Sequence, residues 1–361
     1  MKWPRALADR LGIEHPIVLA PMAGGPSTPE LTAAVSNAGG LGSFAGGYLS
    51  PEAIRDAIRK IRSLTTRPFA VNLFAPVPRE ATPSAQELER ARQAVARFRA
   101  EVGLPDAGVP EPLPSFEEEL QVVLDERVPA FSFTFGALSS EQVAALARTG
   151  AVVLGTATSA REARALEAVG CHAVVAQGGE AGGHRGTFLG ALERGLAGTL
   201  ALVPQVVDAV RLPVVAAGGI MDGRGVAAAF ALGAQGVSLG TAFLPSPESG
   251  ASRPYRDALL ARSDDDPTTL TRAFSGRLAR GLRNRFTEEM AGAPVLPFPL
   301  QNALTADLRR EAAKAGKADL LSLWAGQAVP LARARPAGDL VRDLVRETEE
   351  AVARLAGVHA S

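Results

Sequence analysis

Short apolar runs punctuate the chain at 17–22, 41–45, 69–74, 131–135, 151–155, 173–176, 214–217 and 236–239, each giving way to glycine, proline or a small polar residue. Most are continuous rather than alternating in polarity, which is the pattern of strands buried on both faces. The stretches between them read as helices. Pro29-Glu-Leu-Thr-Ala-Ala-Val-Ser-Asn37 follows Ser27-Thr28 as a cap and stops at Gly39-Gly40. Pro51 opens a segment in which Ile54, Ile58 and Ile61 recur at helical spacing. Similar segments run over 140–147, 161–168 and 225–231. The repeated strand–helix alternation predicts an α/β fold, a (β/α)8 TIM barrel over residues 1–244.

Two segments break the rhythm. Residues 75–128 hold two charged helical patterns, around 86–102 and 115–126, and read as a helical excursion capping one side of the barrel. Residues 245–300 begin with Pro245-Ser-Pro247 and include Thr269-Leu-Thr-Arg-Ala-Phe274, which predicts a small inserted α/β unit. Residues 301–361 read as a helical C-terminal segment packing on the barrel, amphipathic around 340–355.

Composition narrows the classes. Lys plus Arg total 38 and Asp plus Glu total 38, so the chain offers no electrostatic attraction to nucleic acid or an anionic membrane. At 47% hydrophobic residues it buries a core rather than staying disordered. Cys171 is the single cysteine, which excludes an internal disulfide and a multi-cysteine zinc or iron–sulfur site. No apolar run approaches the roughly 18–20 residues that span a bilayer, and the N-terminus lacks a secretory pattern. The expectation is a soluble cytoplasmic protein.

In a barrel of this kind the site lies at the C-terminal ends of the strands. The first run ends in Pro21-Met-Ala-Gly-Gly-Pro26, and the third carries polar Asn72 within an apolar stretch. The sixth leads into Gln177-Gly-Gly-Glu-Ala-Gly-Gly-His-Arg-Gly186. The seventh ends in Gly218-Gly219 ahead of Asp222-Gly-Arg-Gly225, and the eighth ends in Gly240-Thr241. Glycines at these last two strand ends bring backbone N–H groups close to a phosphate, beside a helix N-terminus; the plainer alternative is a pair of tight turns. The glycines around His184 supply no packing and cost backbone entropy, which points to a backbone that closely approaches a ligand. His15, His172 and His359 fall away from the strand ends, so His184 is the candidate general base, or donor to an anionic substrate.

Other chemistry is poorly supported. Gly40-Leu-Gly42 precedes a strand rather than following one, so it is not a dinucleotide fingerprint. Glu180 and His184 are four apart, but in a glycine-rich stretch rather than a helix, and no metal is expected. Cys171 and His172 are adjacent on a strand edge and point to opposite faces, so Cys171 reads as a small buried hydrophobe. Lys2, Lys60, Lys314 and Lys317 are the only lysines, and none ends a core strand, which speaks against Schiff-base chemistry. A phosphate-anchoring barrel without lysine or metal needs a bound cofactor.

These motifs carry a family resemblance. The stretch from Pro16 through Pro21-Met-Ala-Gly-Gly-Pro-Ser-Thr-Pro-Glu-Leu31 to Gly42 closely resembles the opening of the nitronate monooxygenases, formerly 2-nitropropane dioxygenases. The loop 176–186 resembles their second motif, and 217–220 and 235–243 resemble their phosphate loops. The resemblance runs from about residue 4 to about residue 330. It implies non-covalent FMN, and oxidation of a small nitronate or nitroalkane by O2 without NAD(P)H, propionate 3-nitronate being the family's substrate. It places the Met22–Ala23 backbone beside the flavin ring, with Asn72 and Gln177 hydrogen-bonding the ring or ribityl chain. Gly182, Gly218 and Gly219 complete the site, and Ser238, Leu239, Gly240 and Thr241 surround the phosphate. His184 matches the family histidine, the base toward neutral nitroalkanes. Tyr48 and Tyr255 are the only tyrosines, so aromatic gating residues of some relatives have no evident counterpart; Phe133, Phe135, Phe298 or Trp324 would take that place. The assembly expected is a monomer or homodimer. The alternatives are an FMN-dependent NAD(P)H reductase of the enoyl-ACP or quinone type, a non-redox phosphosugar barrel, and a flavin binder without catalysis.

Overall fold

Continuous apolar runs become the wall of a closed barrel in the computed structural model, which describes residues 3–76, 82–110, 114–261 and 267–358. His359 lies outside the described residues. The strands are β1 (Ile17–Leu19), β2 (Gly42–Ala45), β3 (Phe69–Phe74), β4 (Ala130–Thr134), β5 (Val152–Ala157) and β6 (Ala173–Gln177). After a two-residue strand, β7 (Gly183–His184), come β8 (Val214–Ala217) and β9 (Gly236–Leu239). All but β7 pair in parallel in the order β1-β9-β8-β6-β5-β4-β3-β2. A bridge between Val18 and Leu41 joins β1 to β2 and closes the ring. The fold is the (β/α)8 TIM barrel that the alternation predicts.

Side-chain alternation sorts the wall into two cores. Val18, Leu41, Ala70, Ala130, Leu154, Ala173 and Val215 share one apolar cluster with Leu7 and Leu11 of α1 (Ala6–Leu11), which plugs one end of the barrel. The alternate residues face the surrounding helices, beginning with α2 (Pro29–Asn37) and α3 (Pro51–Leu64). Thr28 and Ser50 cap α2 and α3 through their hydroxyls, and Ile54, Ile58 and Ile61 of α3 are fully buried, as their spacing predicts.

The excursion after β3 divides. Of its two helices, α4 (Ala85–Glu101) and α5 (Phe116–Asp125), only α5 packs on α3 and β3 as part of the barrel coat. The coat continues with α6 (Ser140–Arg148), α7 (Ala160–Ala168), α8 (Thr199–Ala209) and α9 (Gly223–Ala231). α4 turns to a second core, built with α10 (Arg253–Leu260), α11 (Arg285–Glu289) and α12 (Leu300–Lys314). Its Phe98 meets Phe286, with ring centroids 4.8 Å apart, and Phe286 stacks on Phe274 at 4.4 Å. Arg99, almost fully buried, binds Asp307 of α12 through two hydrogen bonds of 2.6 and 2.8 Å.

The small α/β unit also reaches beyond 245–300. Its sheet has the order β10-β11-β7, with β10 (Thr268–Thr271) and β11 (Ala279–Leu282) joined by a strand from the loop after β6. It therefore borrows α4 from one side of the chain, β7 from the barrel and α12 from the C-terminal segment. The last helix, α13 (Ala337–Val358), does pack on the barrel coat, against α9 and α2.

If α4 is an integral wall of the second core, Phe98→Ala should destabilise the protein by roughly 3–5 kcal/mol. Urea unfolding measures this, and a loss below about 1 kcal/mol would mean that α4 is only loosely attached.

Candidate active site

All twelve site residues named from the motifs line one cavity of about 630 Å³: Met22, Ala23, Asn72, Gln177, Gly182, His184, Gly218, Gly219, Ser238, Leu239, Gly240 and Thr241. It opens at the C-terminal ends of the barrel strands, beneath the second core.

The loop after β6 is fixed from inside. A Cβ on Gly178 would lie 2.0 Å from Thr199 Oγ1, one on Gly179 2.4 Å from the Leu196 carbonyl oxygen, and one on Gly182 2.6 Å from the Ala325 carbonyl carbon. Close approach of protein to protein is by itself enough to require these glycines. Beneath the loop the guanidinium of Arg185 is fully buried and donates to the carbonyls of Gln177, Gly178 and Gly195 at 2.7–2.8 Å. The Gln177 amide clasps the same loop: Nε2 donates to the His184 carbonyl (3.0 Å) and Oε1 accepts from Gly186 N–H (2.8 Å). Glu180 accepts from the backbone and hydroxyl of Thr199, at the start of α8.

This scaffold delivers His184 to the cavity as part of β7, paired with Ala279 of β11. Its Nε2 lies 2.8 Å from Ser275 Oγ. The Ser275 hydroxyl donates to the Arg277 carbonyl at 3.1 Å. The consistent assignment has Nε2–H donating to Ser275, which leaves Nδ1 as an acceptor for the cavity. The rings of Phe135, Phe298 and Trp324 stand 5.4–5.9 Å from the imidazole. Burial, followed by the charges of Arg277 and Arg309, pushes the His184 pKa down to about 3, so the ring is neutral at physiological pH.

Phe135 is held in a strained backbone conformation, φ +81°, just past the end of β4. Its ring stacks on Phe74 at 4.6 Å and carries the Arg277 guanidinium 4.2 Å above its centroid. Of the four aromatics suggested as gates, Phe135 and Trp324 line the cavity and Phe298 backs them, whereas Phe133 is buried in the hydrophobic core. Both tyrosines line the cavity as well, so the scarcity of tyrosine does not empty the site of phenols. Tyr48 follows Gly46-Gly47 after β2, a strand-end position that could have marked it. Tyr255 donates its hydroxyl proton to the Trp324 carbonyl.

At the other strand ends the cavity wall is made of backbone. Gly218 and Gly219 have φ of +117° and +71°, a region that favours glycine. The backbone N–H groups of Gly219, Gly240 and Thr241 have no hydrogen-bond partner among the described residues, although all three line the cavity. Unpaired donors around a concavity suit an anion. Asn72 donates to Ser132 Oγ at 2.9 Å, and Met22 closes its own loop by exchanging hydrogen bonds with Ser27.

The remaining candidates lie elsewhere. His15 packs edge-on to Trp3, and His172 Nδ1 accepts from Val153 N–H at 2.9 Å. Cys171 sits in the hydrophobic core, its thiol pushed up to about 12 by burial. Among the described residues no group of three or more His, Cys, Asp or Glu could hold a metal ion, and no helix is long and apolar enough to cross a membrane.

The family model for nitronate monooxygenase matches residues 5–347. The chain belongs to the nitronate monooxygenase family. A probable nitronate monooxygenase of Staphylococcus aureus (strain Newman) is 42% identical over 353 residues, covering 95% of this chain and 97% of that protein. Among solved structures, a nitroalkane oxidase from Streptomyces ansochromogenes superposes with a TM-score of 0.90 at 45% identity, covering 97% of this chain and 99% of that one. FabK from Thermotoga maritima is more distant, with a TM-score of 0.74 and 32% identity over 98% of each chain. Family membership makes this protein an oxidoreductase that acts on nitronates.

With the folded pKa of His184 near 3 and the ordinary value 6.5, the unfolded chain takes up this proton first as pH falls. The stability held by the neutral ring is present above pH 6.5 and is lost progressively toward pH 3. The His184 imidazole resonances should therefore stay flat between pH 5 and 8 in an NMR titration; a midpoint near 6.5 would contradict the burial and charge that surround it.

Proposed function

We propose that the protein oxidises alkyl nitronates of the propionate 3-nitronate type with O2, giving a carbonyl compound and nitrite or nitrate, with non-covalent FMN and no NAD(P)H. The observation that carries this reading is one cavity holding both a neutral, aromatic-walled His184 and the unpartnered donors of Gly219, Gly240 and Thr241. Those donors fit a phosphate monoester, and the cavity is large enough for a flavin beside a small substrate. Bound FMN would supply the electron transfer between nitronate and oxygen.

The protein's own residues do the rest. Gly182, Gly218, Gly219, Ser238, Leu239, Gly240 and Thr241 form the cofactor wall, with Met22 and Ala23 at its edge. Gln177 has one amide hydrogen beyond its bond to His184, and Asn72 keeps its Oδ1; both polar groups serve the ring or ribityl chain. His184 Nδ1 accepts the α-proton of a neutral nitroalkane. A nitronate arrives without that proton and needs only a seat, which the positive charge of Arg309 in the cavity wall favours. Phe135 and Trp324 exclude water from the reacting carbon.

The second reading is an FMN-dependent NAD(P)H reductase on the same barrel. An anaerobic titration with NADH and NADPH, following the flavin absorbance band, separates the two. The band should stay oxidised, and the protein should consume O2 with propionate 3-nitronate. Stoichiometric bleaching would establish the reductase instead, and a colourless protein that FMN does not restore would refute both.

His184→Asn should lower turnover of a neutral nitroalkane by about 10²- to 10⁴-fold, the range for losing a general base. The loss with the matching nitronate should be much smaller. Equal losses on both would remove His184 from proton abstraction.

A further inference from the structure

The cavity contains a cation that forms no ion pair with an acid among the described residues. Among the described residues that line the cavity, none is Asp or Glu, and two are arginines. Arg310 is exposed and pairs with Glu311 at 3.3 Å. Arg309, one position earlier on α12, is half-buried and makes no ion pair among the described residues. It donates only to neutral oxygens. Nε reaches the Thr305 carbonyl (3.2 Å), and Nη2 reaches the carbonyl and Oδ1 of Asn302 (3.0 and 2.9 Å). Nη1 has only a long contact of 3.5 Å to Ser322 Oγ. Asp307, two residues away on the same helix, is already bound by Arg99.

Taking a guanidinium out of water without a counter-charge is costly, and burial pulls the Arg309 pKa below that of an ordinary arginine. A second unmet group stands close by. Tyr48 Oη is buried with no hydrogen-bond partner among the described residues, near enough for the Arg309 charge to act on the phenol. An orphan hydroxyl beside an unneutralised guanidinium lacks one component, an anionic acceptor. The phosphate of a bound FMN is served elsewhere, by the backbone donors of Gly219, Gly240 and Thr241.

We propose that Arg309 Nη1 and Tyr48 Oη form a subsite for a carboxylate carried by the substrate, and that Arg309 thereby selects carboxylate-bearing nitronates over plain alkyl nitronates. The assignment rests on the nitronate-oxidising reading for its substrate, but on the cavity alone for its anion. A carboxylate accepts from both donors at once, and the charge-assisted bonds offset the desolvation that the empty arrangement leaves unmet.

The test is a preference ratio: kcat/KM for propionate 3-nitronate over kcat/KM for propyl-1-nitronate, in FMN-loaded protein. The ratio should favour the carboxylate in the wild type and fall about 10- to 100-fold in Arg309→Met, the scale of a charge-assisted hydrogen bond. Arg309→Lys should retain part of it, and Tyr48→Phe should lose a few-fold; these two variants decide the matter if Arg309→Met does not fold. A ratio unaffected by these changes overturns the proposal. So does loss of FMN from soluble Arg309→Met, which would make the cofactor's phosphate the anion. Calorimetric titration with 3-nitropropionate against 1-nitropropane makes the comparison without turnover. A protein that oxidises neither nitronate yet binds 3-nitropropionate in an Arg309-dependent way would refute the nitronate reading and uphold the subsite. One that oxidises both nitronates with equal kcat/KM would do the reverse.

Discussion

The Arg185 guanidinium, buried beneath the loop after β6, is the contact on which the rest of the site depends. A loop too tight for side chains at Gly178, Gly179 and Gly182 turns carbonyls inward, and inward carbonyls need donors. Arg185 supplies three of them from one rigid fork. With the loop pinned, Gly183 and His184 emerge as a strand edge rather than a flexible tip, and β11 pairs with them. Arg277, which lies over Phe135, donates in turn to the Arg185 and Thr187 carbonyls at 3.0 and 2.6 Å. Barrel and second core are thus joined at the residue next to the candidate base.

The electrostatics of the cavity follow from what surrounds it. Among the described residues its wall carries arginine and histidine but no carboxylate, together with amide donors that have no partner. Such a space repels protons from His184 and attracts anions. The same positive charge that makes the imidazole a reluctant cation favours anions over cations in the cavity. A neutral nitroalkane gains less from it, since its charge develops only after the proton has moved.

Much of the barrel was legible along the chain because its strands are local and buried on both faces, so continuous apolar runs mark them without any tertiary knowledge. The strand-end motifs were legible for a related reason. Glycine and isolated polar residues at those positions have no packing use that a larger apolar residue would not serve better. A second demand on the glycines at 178, 179 and 182 is invisible locally: it comes from Thr199, Leu196 and Ala325, the last of them far along the chain. The second core escaped sequence reading for the same reason. No local pattern says that α4 leaves the barrel to meet Phe286, or that a two-residue strand completes a sheet with β11.

The sequence by itself determined the barrel and the motif set at its strand ends, and singled out His184 as the candidate for chemistry, because each is written in local periodicity or in residues with few good uses. Tertiary structure alone decided the charge state of that histidine, the aromatic walls around it, and the placing of Tyr48 and Arg309 over the cavity. Those properties arise from desolvation and Coulomb interactions among residues far apart in the chain. Arg309 lies on an ordinary amphipathic helix, and only the packing of that helix turns a commonplace arginine into a half-buried charge with no ion pair among the described residues.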